Sequence, residues 1–177
     1  MKLNQLVMAL GLGVAMIAGG ANAADDQGHG SVNFEGSIID APCSIDPDTI
    51  DQTVNLGQVS NVALQADNNT GTSIPKTFQI RLEGCNLSTA ETVLTTFRGA
   101  EGANGLLGIT GTAKGASIAI TDGTGKLIEL GQASKPQGIG NGSNTLQFSA
   151  YLQGDGASAT IVPGNFTSVA DFTLAYQ

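Results

Sequence analysis

Cys43 and Cys85 are the residues of this chain that are best suited to chemistry. A cysteine thiolate can act as a nucleophile or bind a metal ion, but both roles need neighbouring groups such as histidines. The chain has one histidine, His29, which lies close to the amino terminus. We therefore expect no catalytic site, no metal site and no cofactor, and we interpret the two cysteines as a structural pair.

Two other runs resemble ligand-binding loops only in part. Asp46, Asp48 and Asp51 form an acidic cluster, but a calcium loop that begins at Asp46 needs glycine at its sixth position, which Asp51 occupies. Residues 123–126 spell Gly-Thr-Gly-Lys as in a phosphate loop, but Leu127 follows where that loop needs Ser or Thr. We expect a solvated turn at the first run and a hairpin turn at the second.

The first 23 residues have the organisation of a signal peptide. Lys2 precedes an apolar run from Leu6 to Ala18, and the small residues Ala21 and Ala23 lie where signal peptidase reads them. A short membrane anchor is the alternative, but the apolar run is shorter than the roughly 20 residues that a spanning helix needs. We expect cleavage after Ala23 and export.

Export and composition together describe a single oxidised domain. An oxidising compartment favours a disulfide between Cys43 and Cys85. Removal of residues 1–23 leaves 154 of the 177 residues, which fits one domain. The formal net charge is −8, and the few basic residues are scattered rather than clustered as phosphate binding requires. We therefore expect no nucleic acid partner.

Apolar residues recur at every second position in several short runs, as in half-buried strands. In residues 78–83 and 146–153 one face of each strand is apolar and the other is polar. Helical periodicity is nearly absent. Many short strands separated by turn residues indicate a β-sandwich. Weaker strand candidates are Val93 to Phe97, Ser117 to Thr121, Lys126 to Leu130 and Ala159 to Val162.

The amino-terminal part of the mature chain also alternates. Gly28, Gly30, Val32 and Phe34 share one phase, so an extended segment would present glycine and apolar side chains along one edge. An ordinary first strand behind a polar tail is the alternative interpretation of this segment taken alone.

The carboxy-terminal residues Phe172, Leu174 and Tyr176 alternate up to the last residue of the chain. Most chain ends fray, so a patterned aromatic strand is unusual there. Such a strand either lies within its own sheet or offers an edge to another strand.

These features, taken together, resemble the chaperone/usher pilins. The resemblance consists of the alternating extension, the run from Gly36 to Ile45 around Cys43, the second cysteine Cys85, a glycine fourteenth from the end and the penultimate Tyr176. Within that family the chain is most similar to the major subunits of P-type and mannose-resistant fimbriae.

The resemblance implies an all-β fold, an incomplete immunoglobulin-like β-sandwich that is completed by a donor strand from a neighbouring subunit. Residues 24–36 would form the donor-strand extension and residues 37–177 the pilin domain. The implied donor-strand residues, which face the neighbour's groove, are Gly28, Gly30, Val32 and Phe34. The implied groove-edge residues, which the chaperone and usher recognise, are Gly164, Phe172, Leu174 and Tyr176. The Cys43–Cys85 disulfide would pin the first strand to its neighbour near the groove.

The implied function is that of a major structural subunit of a surface fimbria that supports adhesion or biofilm formation. Its expected partners are identical subunits in a head-to-tail fibre, a periplasmic chaperone and an outer-membrane usher, and a host-cell receptor is left open. The chain would pass through the periplasm to the cell surface.

Two alternatives are a minor adaptor pilin and a fimbrial adhesin or lectin. The chain has no Trp and two Tyr, which leaves little for an aromatic sugar platform, and a two-domain adhesin needs a longer chain. An adaptor shares the fold and the end motifs. Similarity to major subunits favours the shaft.

Overall fold

The computed structural model describes Gly28, residues 30–88 and residues 91–177. The signal peptide, its cleavage site and His29 therefore lie outside the described residues. The chain divides into two compact units, residues 1–38 and residues 39–177. The described part of the first unit has no regular secondary structure and is exposed throughout.

The second unit contains eleven strands and one α-helix among its described residues. The helix, α1, spans Asn61–Asn69, and a short 3-10 helix at Pro47–Thr49 and another at Ala103–Gly105 interrupt the loops. The strands are β1 (Ser44–Ile45), β2 (Lys76–Cys85), β3 (Thr92–Gly99), β4 (Leu107–Gly108), β5 (Thr110–Gly111), β6 (Ala116–Asp122), β7 (Leu127–Ile128), β8 (Gln137–Gly138), β9 (Gly142–Gly154), β10 (Phe166–Thr167) and β11 (Ala170–Tyr176).

These strands form two main antiparallel sheets. The larger sheet has the order β1-β2-β9-β6-β4, and β7 pairs with β6 beside it. The smaller sheet has the order β11-β3-β8, and a separate ribbon joins β10 to β5. The predicted all-β sandwich is therefore confirmed.

The core lies between the two main sheets. In β2 the side chains of Ile80 and Leu82 are fully buried, and in β9 every second side chain from Leu146 to Leu152 is buried. The predicted alternation of these two strands is thus correct. Phe97 of β3 contacts Phe148 of β9 edge-on, with ring centroids 5.2 Å apart, and this pair joins the two sheets.

A disulfide between Cys43 and Cys85 fastens β1 to the larger sheet, as predicted. Cys43 immediately precedes β1, and Cys85 is the last residue of β2. Between them β1 pairs with β2 through two residues, Ser44 opposite Glu83 and Ile45 opposite Leu82. Because two ladder pairs hold a strand weakly, the covalent link supports this edge of the sheet.

The structure differs from the sequence expectations in three elements. Residues 159–162 form no strand and contribute one isolated bridge, from Val162 to Lys114. The Lys126 to Leu130 candidate shortens to β7. The sequence gives no signal for α1, because Leu64 is its one buried residue and Ala66, Asp67 and Asn68 have non-helical backbone angles. Such a short, distorted helix leaves no 3.6-residue apolar period.

The run 123–126 forms the predicted hairpin turn between β6 and β7. The Asp122 carboxylate accepts hydrogen bonds from the backbone N–H of Thr124 at 2.9 Å and of Lys126 at 3.0 Å. The loop therefore uses its N–H groups internally and leaves no phosphate cradle.

The alternation of β9 makes a direct test of the core possible. Leu146 is 1% exposed, whereas its neighbour Gln147 faces solvent. We expect Leu146→Ala to lower the free energy of unfolding by roughly 2–5 kcal/mol, because it leaves a cavity between the sheets. Gln147→Ala should change it by less than about 0.5 kcal/mol. Urea unfolding of both variants measures the difference, and equal losses would contradict the assignment of the core face.

Candidate functional site

A cleft of about 690 Å³ opens between the two sheets of the 39–177 unit. Its floor is apolar, and its two walls are the start of the last strand and an irregular segment that follows the first 3-10 helix. The floor residues are Ile45, Phe78, Phe97, Leu107, Ile118, Ile120 and Ala150. The wall residues are Ile50, Asp51, Gln52, Thr53, Val54 and Leu56 on one side and Ser168, Val169, Ala170, Asp171 and Phe172 on the other.

The first wall, residues 168–172, runs into β11, and the edge of β11 is open along the strand. Within the described residues β11 pairs with β3 on one side and with no strand on the other. Thr92 and Gln177 exchange backbone hydrogen bonds of 2.9 and 3.0 Å. In an antiparallel ladder the backbone groups of successive residues point alternately to one neighbour and to the other side. The backbone groups of Ala175, Thr173 and Asp171 therefore point to β3, as those of Gln177 do. The backbone N–H and C=O groups of Phe172, Leu174 and Tyr176 therefore point to the open edge.

The side chains of the same three residues point into the sandwich. Phe172, Leu174 and Tyr176 are half-buried and pack against the core, whereas Asp171, Thr173 and Ala175 between them are exposed. Residues two apart on a strand share both a face and an edge. One strip of β11 thus combines unpaired backbone groups with incompletely covered apolar side chains.

Burial affects the phenol of Tyr176 at the end of this strip. Desolvation raises the pKa of Tyr176 above its ordinary value of 10.0. Burial thus strengthens the preference of Tyr176 for the neutral phenol, and this side chain brings no charge to the strip.

The cleft continues the core rather than forming a separate chamber. Phe78 on the floor is half-buried and stacks on the buried Phe148, with ring centroids 5.5 Å apart. Phe97 and Ala150, also on the floor, belong to the buried core itself. An apolar ridge that entered the cleft would therefore complete the core.

The second wall is the irregular segment from Ile50 to Leu56. It contains no strand, and the Gln52 side chain joins it to β2. The amide of Gln52 donates to the carbonyl oxygen of Gln79 at 3.1 Å and to that of Thr49 at 3.0 Å. The second wall is thus held by a side chain where the first is held by a backbone ladder.

A charged cluster fixes the base of the second wall. The Arg81 guanidinium donates to the Asp46 carboxylate through Nε at 2.7 Å and forms an ion pair through its terminal nitrogen at 2.6 Å. The backbone N–H of Asp48, followed by the Arg81 side chain, lowers the pKa of Asp46. Because this shift favours the ionised carboxylate in the folded chain, its stabilising effect is lost as the pH falls below the ordinary aspartate range. The Asp46–Arg81 ion pair therefore holds the turn before the second wall to β2.

Three of the four predicted groove-edge residues lie on the edge strand, and the fourth does not. Phe172, Leu174 and Tyr176 lie in β11, but Gly164 lies in a loop six residues before that strand begins. A Cβ at Gly164 would lie 2.5 Å from the backbone nitrogen of Ala113. The close approach of these two loops explains the glycine, and Gly164 is not among the residues that line the cleft.

The predicted donor-strand residues belong to the other unit. Val32 is 74% exposed and Phe34 is 91% exposed, and a Cβ at Gly28 or Gly30 would meet nothing within 4 Å. Both apolar side chains are therefore available to another surface.

The second wall was not predicted from the sequence, because residues 50–56 carry no regular alternation.

No group of metal-ligating side chains that could hold an ion occurs in the part of the chain that the structure describes. Within the same residues, none of the helices has the length and apolar character that a membrane span requires.

Comparisons with known proteins agree with this geometry. A family profile described as "Fimbrial protein" matches residues 32–177. The chain is 61% identical to "Fimbria A protein" of Serratia marcescens and 54% identical to "Major MR/P fimbria protein" of Proteus mirabilis, each over the full length of both chains.

A solved structure of a chaperone-usher pilus, described in connection with rod uncoiling, has a similar fold. It is 30% identical, with a TM-score of 0.75, and the match covers 85% of this chain and 97% of that chain. Together with the open edge of β11, this likeness identifies the fold as an incomplete immunoglobulin-like sandwich.

The open edge predicts an alternating pattern of amide exchange along β11. In the monomeric chain, the amide protons of Phe172, Leu174 and Tyr176 should exchange quickly, because they face the open edge. Those of Thr173 and Ala175 should be protected by the ladder to β3. Hydrogen exchange followed by NMR measures each amide, and uniform protection along the strand would show that the edge is covered.

Proposed function

The chain belongs to the fimbrial protein family, and we propose that it is a major structural subunit that polymerises into a bacterial surface fimbria by donor-strand exchange. The observation that carries this proposal is the strip of β11 in which unpaired backbone groups and half-buried apolar side chains coincide. A strand from another chain would satisfy both at once. The role is structural, and the family assignment gives no reason to expect a catalytic reaction.

The extension at residues 24–36 is the natural occupant of the neighbour's groove. Gly28, Gly30, Val32 and Phe34 share one phase, and the two apolar side chains are exposed in their own subunit. Each fully buried apolar side chain would contribute roughly 1.5–3 kcal/mol. Because the extension and the groove are different surfaces of the same chain, the contact is head to tail and generates a filament.

A subunit with an open groove needs protection before assembly. Unpaired strand edges beside apolar surface are prone to non-specific pairing. A periplasmic chaperone that lends a strand to β11 would prevent this, and an outer-membrane usher would replace that strand with the next subunit's extension. This route also accounts for a signal peptide at residues 1–23 and for a final position in a surface fimbria.

The shaft is favoured over an adaptor or an adhesin. The chain matches the full length of "Major MR/P fimbria protein", which by its name is a major subunit. It also retains both the extension and the groove, as a subunit in the middle of a fibre must. We propose that the resulting fimbria contributes to adhesion or biofilm formation.

Gly30 gives the sharpest test of polymerisation. Within the apolar ridge it suits a shallow part of the neighbour's groove, so Gly30→Leu should overpack each junction at a cost of about 1–3 kcal/mol. The extension has space around Gly30, so the subunit's own fold should be unaffected. Cells that co-express the subunit with its chaperone and usher should show at least about fivefold fewer fibres by electron microscopy.

The matched control is Ser31→Leu, which adds the same side chain in the opposite phase. It should give normal fibres, while the Gly30→Leu subunit accumulates as a folded complex with the chaperone. Normal fibres from both variants would contradict the proposed donor-strand register or the mechanism itself.

Export predicts the amino terminus of the subunit in the fibre. Signal peptidase should cut after Ala23, since small residues occupy the two recognised positions before that bond. Intact mass measurement of purified fimbriae should therefore give a subunit that starts at Ala24. A mass that retains residues 1–23 would show that this segment remains as an anchor.

A further inference from the structure

The two walls of the groove are held in very different ways. The first wall, β11, pairs with β3 at every residue from Ala170 to Tyr176. Just before it, the hydroxyl of Ser168 donates to the carbonyl oxygen of Gly108 at 2.6 Å. The part of the second wall after Gln52, residues 53–56, has no strand partner among the described residues, and of these residues Leu56 packs against the core. We therefore expect movement that widens or narrows the groove to come mainly from this part of the second wall.

The chain before the second wall is firmly attached to β2. The backbone N–H of Asp46 donates to the carbonyl oxygen of Arg81 at 2.9 Å, beside the Arg81–Asp46 ion pair. The hydroxyl of Thr49 accepts from the backbone N–H of Arg81 at 3.2 Å. The β1–β2 ladder stops at Ile45, and after it these hydrogen bonds and the ion pair keep the chain attached to β2.

Gln52 is the last residue of this attachment. The NH₂ group of its amide donates to the carbonyl oxygens of Thr49 and Gln79, at 3.0 and 3.1 Å, so one N–H holds its own turn and the other holds β2. Gln79 pairs with Gln147 of β9 on one side of β2, and on the other side no strand of the described chain pairs with it. Beyond Gln52 the segment is held by a local hydrogen bond, which the backbone N–H of Gly57 donates to the side-chain oxygen of Asn55 at 2.8 Å.

We propose that Gln52 is a positioning residue for strand insertion, which sets the distance of the Thr53–Leu56 wall from β11. This inference rests on the proposed polymerisation through the groove. An inserted strand is fixed on one side by the backbone of β11 and confined on the other by this wall. When the tether at Gln52 is lost, the wall moves outward more easily, and the inserted strand leaves sooner.

The amide of glutamine can be separated from its shape. Gln52→Glu keeps the size of the side chain but replaces the donating NH₂ group with an oxygen that only accepts. Gln52→Lys restores donors that can reach the same two carbonyl oxygens. Gln58→Glu makes the same change of charge at an exposed position just after the second wall and is the matched control.

The measurement is the release of a bound strand from the mature chain. A fluorescent peptide of residues 24–36 is bound to each variant and then displaced by an excess of unlabelled peptide. Gln52→Glu should release the peptide about fivefold to tenfold faster than Gln58→Glu, the scale of one or two neutral hydrogen bonds. Gln52→Lys should be close to wild type. Urea unfolding of the empty variants should give Gln52→Glu a midpoint only slightly below that of Gln58→Glu and well above that of Leu146→Ala, because the two lost hydrogen bonds are solvent-accessible.

Each failure has a separate meaning. If the wild-type chain does not bind the peptide, the proposed function fails, and the inference about Gln52 fails with it. If the wild-type chain binds and Gln52→Glu releases the peptide at the rate of Gln58→Glu, polymerisation through the groove stands and the positioning role is overturned. If the unfolding midpoint of Gln52→Glu falls by as much as that of Leu146→Ala, Gln52 is an ordinary structural residue and the inference is also overturned.

Discussion

The unpaired edge of β11 is the constraint on which the rest of the structure depends. Phe172, Leu174 and Tyr176 direct their backbone groups outward and their side chains inward, because residues two apart on a strand share both directions. Polar groups of the main chain need a partner or water, and the apolar side chains beside them need cover. Water satisfies the first need and not the second. A strand satisfies both, so the edge selects a strand as its occupant.

The groove makes stability and assembly parts of one process. Phe78 on its floor stacks on the fully buried Phe148, so the apolar surface that the groove exposes is continuous with the core. An occupant therefore contributes to the folding free energy of the chain that it enters, as any ligand of the native state does. The disulfide from Cys43 to Cys85 also stabilises the chain, because it holds β1 to β2 even when the groove is empty.

Sequence alternation predicted the strands whose burial is set by their own apolar face. The alternation in β2, β9 and β11 identified their buried faces correctly, since one face of each packs on a continuous core. Gly164 shows the limit of this approach, because it lies outside β11 and the space around it is decided by the loop at Ala113. Gln52 could not have been found at all. Its contact with Gln79 joins a side chain to a backbone carbonyl 27 residues away, and no periodicity records such a pair.

The position of Cys43 also determines how the subunit would carry tension. In a fibre under load, the pull on a subunit's extension travels along the chain and reaches Cys43 before it reaches β1. The disulfide passes that force directly to the end of β2, the strand that pairs with β9 over most of its length. The two residue pairs of β1 are then bypassed and need not resist being peeled away. The force is thus carried by β2, which has the longer ladder, and not by the two residue pairs of β1.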